Sequence, residues 1–444
     1  MSRVFALLAL ALLLSACSAP PPPSAAAVLP YPTIQPSVTP MPPSTATPLP
    51  TAVPSPTVVP SPTAEPLPQY DLVLTGGTLI DATGNEPLPN AVIAISDGRI
   101  AAVGRADEVV YGADTPVRDI SGATVMPGFI NAHVHISGLS EDDLRRWTRA
   151  GVTTIRDLAG PLEERVPLRE SFLARGDPSL PRLLVSGPIV TVAGGYPFAV
   201  RDEKLRVTSL AVGGTEQARA EVHALADAGV DVIKISVSGR TDVSWPELTD
   251  AEIATITETA ASRGLAVTAH VDRASALRRA VLNGVSDAAH SPRDRVPNEV
   301  FALMVERGVT MIPTIAVYEC LAQSRGIGAE WRRSTMPTMY DNLRRFVAAG
   351  GIVALGDDFG GVPGMPIGMP MDEINHWIAA GLSPLQVIEA GTRGSAIAIG
   401  MADQLGTVEV GKLADLLVVE GDPLSDISAL SRPLLVLHGG EIVS

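Results

Sequence analysis

Between Thr124 and Asp357 short apolar runs alternate with segments of helical period, and this alternation limits the possible folds more than any other feature of the chain. The apolar runs lie at Thr124–His135, Thr153–Asp157, Arg182–Ser186, Asp231–Val237, Ala266–His270, Ser286–His290, Val309–Thr314 and Ile352–Asp357. Helical periodicity fills most of the intervals, as in Thr215–Ala228, Thr249–Arg263 and Asn298–Arg307. Such alternation makes a parallel sheet covered by helices. Eight units fit a (β/α)8 TIM barrel, whose usual size is about 250 residues. Pro313 requires that pairing of the seventh run end there, because proline removes a ladder hydrogen bond. The rival fold, an open doubly wound sheet, lacks its Gly-x-Gly-x-x-Gly turn after the first strand.

On either side of this region the texture is β-rich and punctuated by glycine. Asp71–Thr75, Ala91–Ile95 and Arg99–Val103 precede it; Asp415–Val419 and Leu434–Leu437 follow it. These runs read as hairpins. The expected fold class is therefore α/β: a barrel over 125–402 and a small β-sandwich domain assembled from 69–124 and 403–444.

The N-terminal part is of another kind. Arg3, the apolar run Val4–Leu14 and then Ser15-Ala16-Cys17 form a secretory signal over 1–17. The run is too short for a membrane span, which takes roughly 20 residues. Leu14-Ser-Ala-Cys17 resembles a bacterial lipobox, which implies lipidation at Cys17 and a membrane-anchored, extracytoplasmic lipoprotein. Nearly half of the 39 prolines fall between Pro20 and Pro68, within a Pro/Ser/Thr-rich stretch over 18–68 whose only charge is Glu65. Such a segment buries no core and favours extended polyproline II. At about 3.1 Å per residue it is a stalk that reaches on the order of 150 Å. Lipidation would leave Cys320 as the only other cysteine, so no disulfide is expected within the chain.

The formal net charge of −15, from 33 basic and 48 acidic residues, argues against nucleic acid as a partner. The chemistry lies at the predicted strand ends. Four of seven histidines fall there: His133 and His135 as His-Val-His, His270, and His290. A lone buried histidine is usually structural, but four at strand termini converge on the rim where barrel enzymes react. Converging imidazoles suit a divalent transition metal. Lys234 sits within the apolar run Val232-Ile-Lys-Ile-Ser236, and alternation turns it inward with the histidines. A cation facing a metal site makes electrostatic sense only if its charge changes, as carboxylation by CO2 would do. Asp357 and Asp358 end the eighth run, and alternation points Asp358 inward and Asp357 outward. Tyr318 and Arg240 lie beyond strand ends, where they could meet a substrate carbonyl or carboxylate. Arg156 suits an ion pair equally well, and His223, His376 and His438 read as structural.

The ordered set His-x-His, Lys, His, His, Asp resembles the amidohydrolase superfamily, nearest its Xaa-Pro dipeptidase and imidazolonepropionase-related branch. Met126–His135, Ala150–Asp157, Asp231–Ile235 and Gly411–Leu424 carry the same resemblance. Asn131 departs from it, standing where the family often has Asp. The resemblance implies a metal-dependent hydrolase of carbon–nitrogen bonds. His133, His135 and Asp358 would hold one divalent metal, most simply zinc, and His270 and His290 a second. Carboxylated Lys234 would bridge the two, and Asp358 would act as general base for a bridging hydroxide. A small amide or dipeptide is the implied substrate. A mononuclear hydrolase or deaminase of a cyclic substrate, and a non-catalytic binding lipoprotein on the same fold, stay open as alternatives. So does a homo-oligomer.

Overall fold

The computed structural model describes residues 67–198, 207–239 and 244–443. Apart from Leu67 and Pro68, the expected signal and stalk lie outside these residues, Cys17 among them, and so does Arg240. Among the described residues no helix is long and apolar enough to cross a membrane.

The fold is mixed α/β. Strands β1 (Leu72–Leu79), β2 (Leu88–Ser96), β3 (Arg99–Arg105), β4 (Val117–Asp119) and β5 (Ala123–Pro127) come first. The parallel strands follow: β6 (Phe129–Val134), β7 (Val152–Asp157), β8 (Arg182–Val185), β9 (Ile189–Val192), β10 (Ser209–Val212), β11 (Val232–Ser236), β12 (Ala266–His270), β13 (Asp287–Ala289) and β14 (Thr310–Ile312). Last come β15 (Leu416–Glu420), β16 (Pro433–His438) and β17 (Glu441–Ile442).

The first and last groups form one eight-stranded sheet, in the order β17-β16-β15-β5-β1-β2-β3 with β4 beside β1. Hydrogen bonding links all eight strands in this one sheet. Its hairpins obey local turn chemistry. Asp97-Gly98, with φ of 51° and 71°, joins β2 to β3, and Gly439-Gly440, with φ of 59° and 84°, joins β16 to β17. Both are two-residue turns of the kind that match strand twist. The two turns also touch: a Cβ on Gly98 would lie 2.7 Å from the Gly439 carbonyl oxygen.

One sequence expectation is corrected here. The first long run, Thr124–His135, is two strands broken at Gly128. β5 pairs with β1 and β15 in the mixed sheet, whereas β6 begins the parallel layer. Gly128 leaves no room for a side chain, since its Cβ would come within 2.6 Å of the Thr153 hydroxyl. Strands β9 and β10 were not anticipated. Each is four residues long, and no helical stretch separates β8 from β9, so the strand–helix alternation does not mark them.

The parallel strands form a three-stranded sheet, β6-β7-β8, and a six-stranded sheet, β10-β9-β11-β12-β13-β14, rather than one regular closed ring. Segment 352–359 runs between β14 and β6 without being a regular strand. Ala354 N–H donates to Met311 O (2.9 Å) and Ala132 N–H to Leu355 O (2.7 Å). Asp358 N–H donates to His133 O (3.0 Å) and His135 N–H to Phe359 O (2.7 Å). At the other junction, Asp231 N–H donates to Val185 O at 2.9 Å. β14 stops at Ile312, immediately before Pro313, as that proline demands.

Ile233, Ile235, Val353 and Leu355 pack into the main apolar core, whereas Ala354 packs with Ile130, Ala132, Leu184 and Ile312 in a separate cluster. Across the strands runs a buried ion pair. Arg156 of β7 donates from both terminal nitrogens to Asp287 of β13, at 3.1 and 3.2 Å, and from Nε to Ala132 O. Thr268 donates to the same carboxylate. Arg156 is therefore an ion-pair partner, one of the two roles its sequence position allowed. Removing one member leaves a buried charge unpaired, which costs about 3–5 kcal/mol. Asp287→Ala should lower stability by about that amount in a urea titration. Arg156→Met combined with Asp287→Leu should recover most of the loss.

Candidate metal centre

The cavity begins with an irregularity in β6. Its pairing with β7 shifts register between Asn131 and Val134, so His133 lines the cavity even though Ala132 packs with Ile312 and Ala354. Gly356 makes the room: its Cβ would lie 2.5 Å from Ile312 and 2.8 Å from His133 Cβ. Lys234 projects from the middle of β11, His270 ends β12, and His290 follows β13. Asp358 arrives on the 352–359 segment. These six side chains, drawn from five stretches of chain, share one cavity of about 360 Å³.

Their geometry is close. Asp358 Oδ1 lies 2.8 Å from His135 Nε2 and 3.2 Å from His133 Nε2. Ligand atoms of these three residues all fall within 4.8 Å of one another. The ring centroids of His133 and His290 are 5.1 Å apart, and those of His270 and His290 4.4 Å. Lys234 is 2% exposed and its Nζ has no hydrogen-bond partner. His133 Nδ1 and His135 Nδ1 are likewise buried without one. Partnerless polar atoms gathered in one place are costly. His133, His135 and Asp358 each offer a ligand atom within 4.8 Å of the others, with two more imidazoles lining the same cavity, so the donor set fits the divalent metal that the sequence implies.

The charges are suited to that role. Burial, reinforced by the Lys234 cation, pulls the His133 imidazole down to about 3. Burial also holds His270 and His290 well below the usual range. All three therefore stay neutral and keep a lone pair for coordination. Burial would raise the Asp358 carboxyl, but His133 and His135 hold it well below the ordinary value, so it stays a carboxylate. Burial brings the Lys234 ammonium down to about 8, against the opposing pull of Asp358 and Asp287.

The two aspartates separate as strand parity requires. Asp357 turns away from the cavity, where its Oδ1 accepts from Asn131 Nδ2 (2.8 Å) and from Phe359 N–H (3.2 Å). Asn131 thus supports the segment that carries Asp358, in the place where the family often has an acid. Tyr318 lines the cavity from the helix Ile315–Ser324, with its ring centroid 5.7 Å from that of His290. His223, His376 and His438 lie elsewhere. His376 bonds Tyr340 (2.8 Å) and faces Glu319 (3.1 Å), and His438 meets Pro178 O at 2.9 Å. Cys320 is a free thiol.

Two residues that line the cavity, Tyr196 and Arg293, and one behind it, Thr314, escaped sequence reasoning. Tyr196 stacks on His270 at 4.4 Å. Arg293 pairs with Asp272 at 2.7 Å and lies 5.7 Å from the Tyr318 ring. The only available signal for Arg293 was its position three residues after His290. Thr314 Oγ1 lies 2.6 Å from His290 Nδ1, leaving Nε2 as the free ring nitrogen. Strain gathers here too: His290, Thr314 and Asp358 hold positive φ (78°, 47° and 57°), at a cost of about 1–3 kcal/mol each.

Neutral imidazoles and one carboxylate at parallel strand ends, around a partnerless lysine, define a metal-dependent hydrolase. The chain belongs to the amidohydrolase family, whose model matches residues 124–443. It is a hydrolase of carbon–nitrogen bonds. It is 27% identical over 373 residues to an imidazolonepropionase of Symbiobacterium thermophilum, covering 75% of this chain and 84% of the relative. It is 26% identical over 439 residues to an ochratoxinase of Aspergillus niger, covering 83% and 86%. A prolidase solved with N-methylphosphonate-L-proline superposes with a TM-score of 0.71 at 26% identity, covering 84% of this chain and 99% of the other. The imidazolonepropionase and the prolidase are of the kinds that Asp231-Val-Ile-Lys-Ile235 indicated.

The two aspartates should respond differently to loss of charge. Asp358→Asn should lower turnover by roughly 10²–10⁴-fold, the usual range for a general base, and should release metal. Asp357→Asn should cost less than about tenfold, because its carboxylate faces away from the reacting atoms. Paired kinetics and metal analysis check the ranking.

Proposed function

We propose that this protein hydrolyses the amide bond of a small substrate such as a dipeptide, using two zinc ions and a carboxylated Lys234 between them. The observation that carries this reading is the donor set: His133, His135 and Asp358 within 4.8 Å, beside two further neutral imidazoles and a lysine without a partner. The similar prolidase, solved with a proline phosphonate, supports the dipeptide. The backbone bonds on both sides of 352–359, with that between β8 and β11, support closure of the strands into an eight-stranded barrel.

A divalent metal at such a site supplies acidification of water and polarisation of the scissile carbonyl. The chain supplies the rest. Asp358, held as a carboxylate, takes the proton of the attacking water and returns it to the leaving nitrogen. Lys234, brought down to about 8, offers a neutral amine at mildly alkaline pH. Attack of that amine on CO2 would form an N–C bond, turn one C=O bond of CO2 into a carboxylate and release one proton; counted from the ammonium form, two protons leave and a buried cation becomes an anion. Tyr318, and Arg240 outside the described residues, would meet the substrate's carbonyl or carboxylate.

A second reading has one observation in its favour. Among the described residues only His133, His135 and Asp358 form a set of three acidic or imidazole ligands within reach of one ion. That suits a mononuclear site acting on a cyclic amide, as the similarity to an imidazolonepropionase also suggests. Metal analysis separates the two readings. The binuclear enzyme should hold two equivalents and release amine from at least one class of dipeptide. Lys234→Ala should keep at most one equivalent and lose most turnover, and a short carboxylic acid in excess should restore part of it. Two equivalents and normal turnover in Lys234→Ala would exclude the carbamate.

The same enzyme is proposed to work outside the cytoplasm, tethered by lipid on Cys17 through the stalk over 18–68. The sequence Leu14-Ser-Ala-Cys17 is what supports this. Attached acyl chains anchor by about 0.8 kcal/mol per buried methylene. Cys17→Ser should therefore move the protein from the membrane to the soluble fraction on cell fractionation, without changing turnover.

A further inference from the structure

Thr314 joins two parts of the site. Its hydroxyl orients His290, and it is the N-cap of the helix Ile315–Ser324, which carries Tyr318 into the cavity. Its backbone is at φ 47°, a conformation that a β-branched residue rarely adopts. No side chain from this helix caps its own first turn. The open N–H groups are taken instead by Glu373, the third residue of the helix Met371–Ala380. Glu373 Oε2 accepts from Ala316 N–H at 2.7 Å, and Ile315 N–H also bonds the carboxyl. Glu373 Oε1 accepts from Trp377 Nε1 at 2.8 Å. The side chain is fully buried and does not line the cavity. Packing and propensity do not account for it, because a buried acid in an apolar layer is costly unless its bonds serve something.

We propose that Glu373 is a positioning residue: it clamps the Thr314–Ala316 corner and thereby holds the His290 imidazole and the Tyr318 side chain in working orientation. This rests on the reading of His290 as a metal ligand. Both carboxyl oxygens accept N–H donors, which the amide nitrogen of glutamine cannot do. In Glu373→Gln the amide NH2 must face a donor on one side, and the corner loses a tie. Groups that orient metal-binding histidines commonly change metal affinity by about 10–100-fold when removed.

The test is metal loss to a chelator, measured alongside kcat and KM on the full chain loaded with zinc. Glu373→Gln should lose metal about 10-fold faster or more, with kcat falling more than KM changes. Thr314→Val, which removes only the hydroxyl bonded to His290, should do the same. If Glu373 acts through Thr314, the double variant should be no worse than the poorer single one. Trp377→Phe removes the third N–H tie while keeping an aromatic side chain, and should show the same pattern more weakly. It serves as the test should Glu373→Gln fail to fold. The clamp is overturned if the folded variants retain metal and turn over like the wild type, or if the two single effects multiply. A wild-type protein that takes up no metal would overturn the reading of the site itself, before any variant is compared.

Discussion

The seam between β6 and segment 352–359 is the contact on which the site depends. It consists of three backbone hydrogen bonds, from Ala132, Asp358 and His135, made across more than two hundred residues of sequence. They set the height at which Asp358 meets the two histidines, so its carboxylate comes to lie 2.8 and 3.2 Å from their Nε2 atoms. A slip of one residue would send Asp357 to the cavity and Asp358 to Asn131. Gly356 permits the approach, because any side chain there would strike Ile312 and His133. The cavity is therefore a consequence of strand register first and of side-chain chemistry second.

Buried charge is handled in two different ways in this molecule. Among the described residues, three basic side chains are buried: Arg156, Arg165 and Lys234. Arg156 has Asp287, and Arg165 has Asp157 at 2.6 Å. Lys234 has no hydrogen-bond partner. The two arginines belong to the framework, where paired and hydrogen-bonded charges are tolerable. Lys234 sits where the framework leaves polar atoms open, and burial shifts its equilibrium toward the neutral amine. The interior gives both buried arginines a carboxylate and gives this lysine no hydrogen bond.

Support for the site extends outward in layers. Thr314 holds His290, Asn131 holds Asp357, and Glu373 holds the turn that carries Thr314. Strained backbone at His290, Thr314 and Asp358 persists because these contacts over-determine it.

Much of this was legible from residue order alone. Strand–helix alternation determined the α/β class, because each period buries a different kind of face. Histidines at strand ends, and a lysine flanked by isoleucines, marked the cavity, because a parallel strand covered on both sides tolerates polar groups only toward a site. The parity of Val353, Ala354 and Leu355 was enough to choose Asp358 over Asp357. Tertiary structure decided what depends on partners far away in sequence. Gly128 divides one apolar run between two sheets because Thr153 crowds it. His133 and His135 face the cavity together with Val134 turned to the core, as their spacing requires, whereas the register shift in β6 that parts them from Ala132 is set by its pairing with β7. Tyr196, Arg293, Thr314 and Glu373 acquire their places only when loops and helices from distant segments meet. Periodicity is a property of one strand and can be read from it, whereas a contact between segments exists only after the chain has closed on itself.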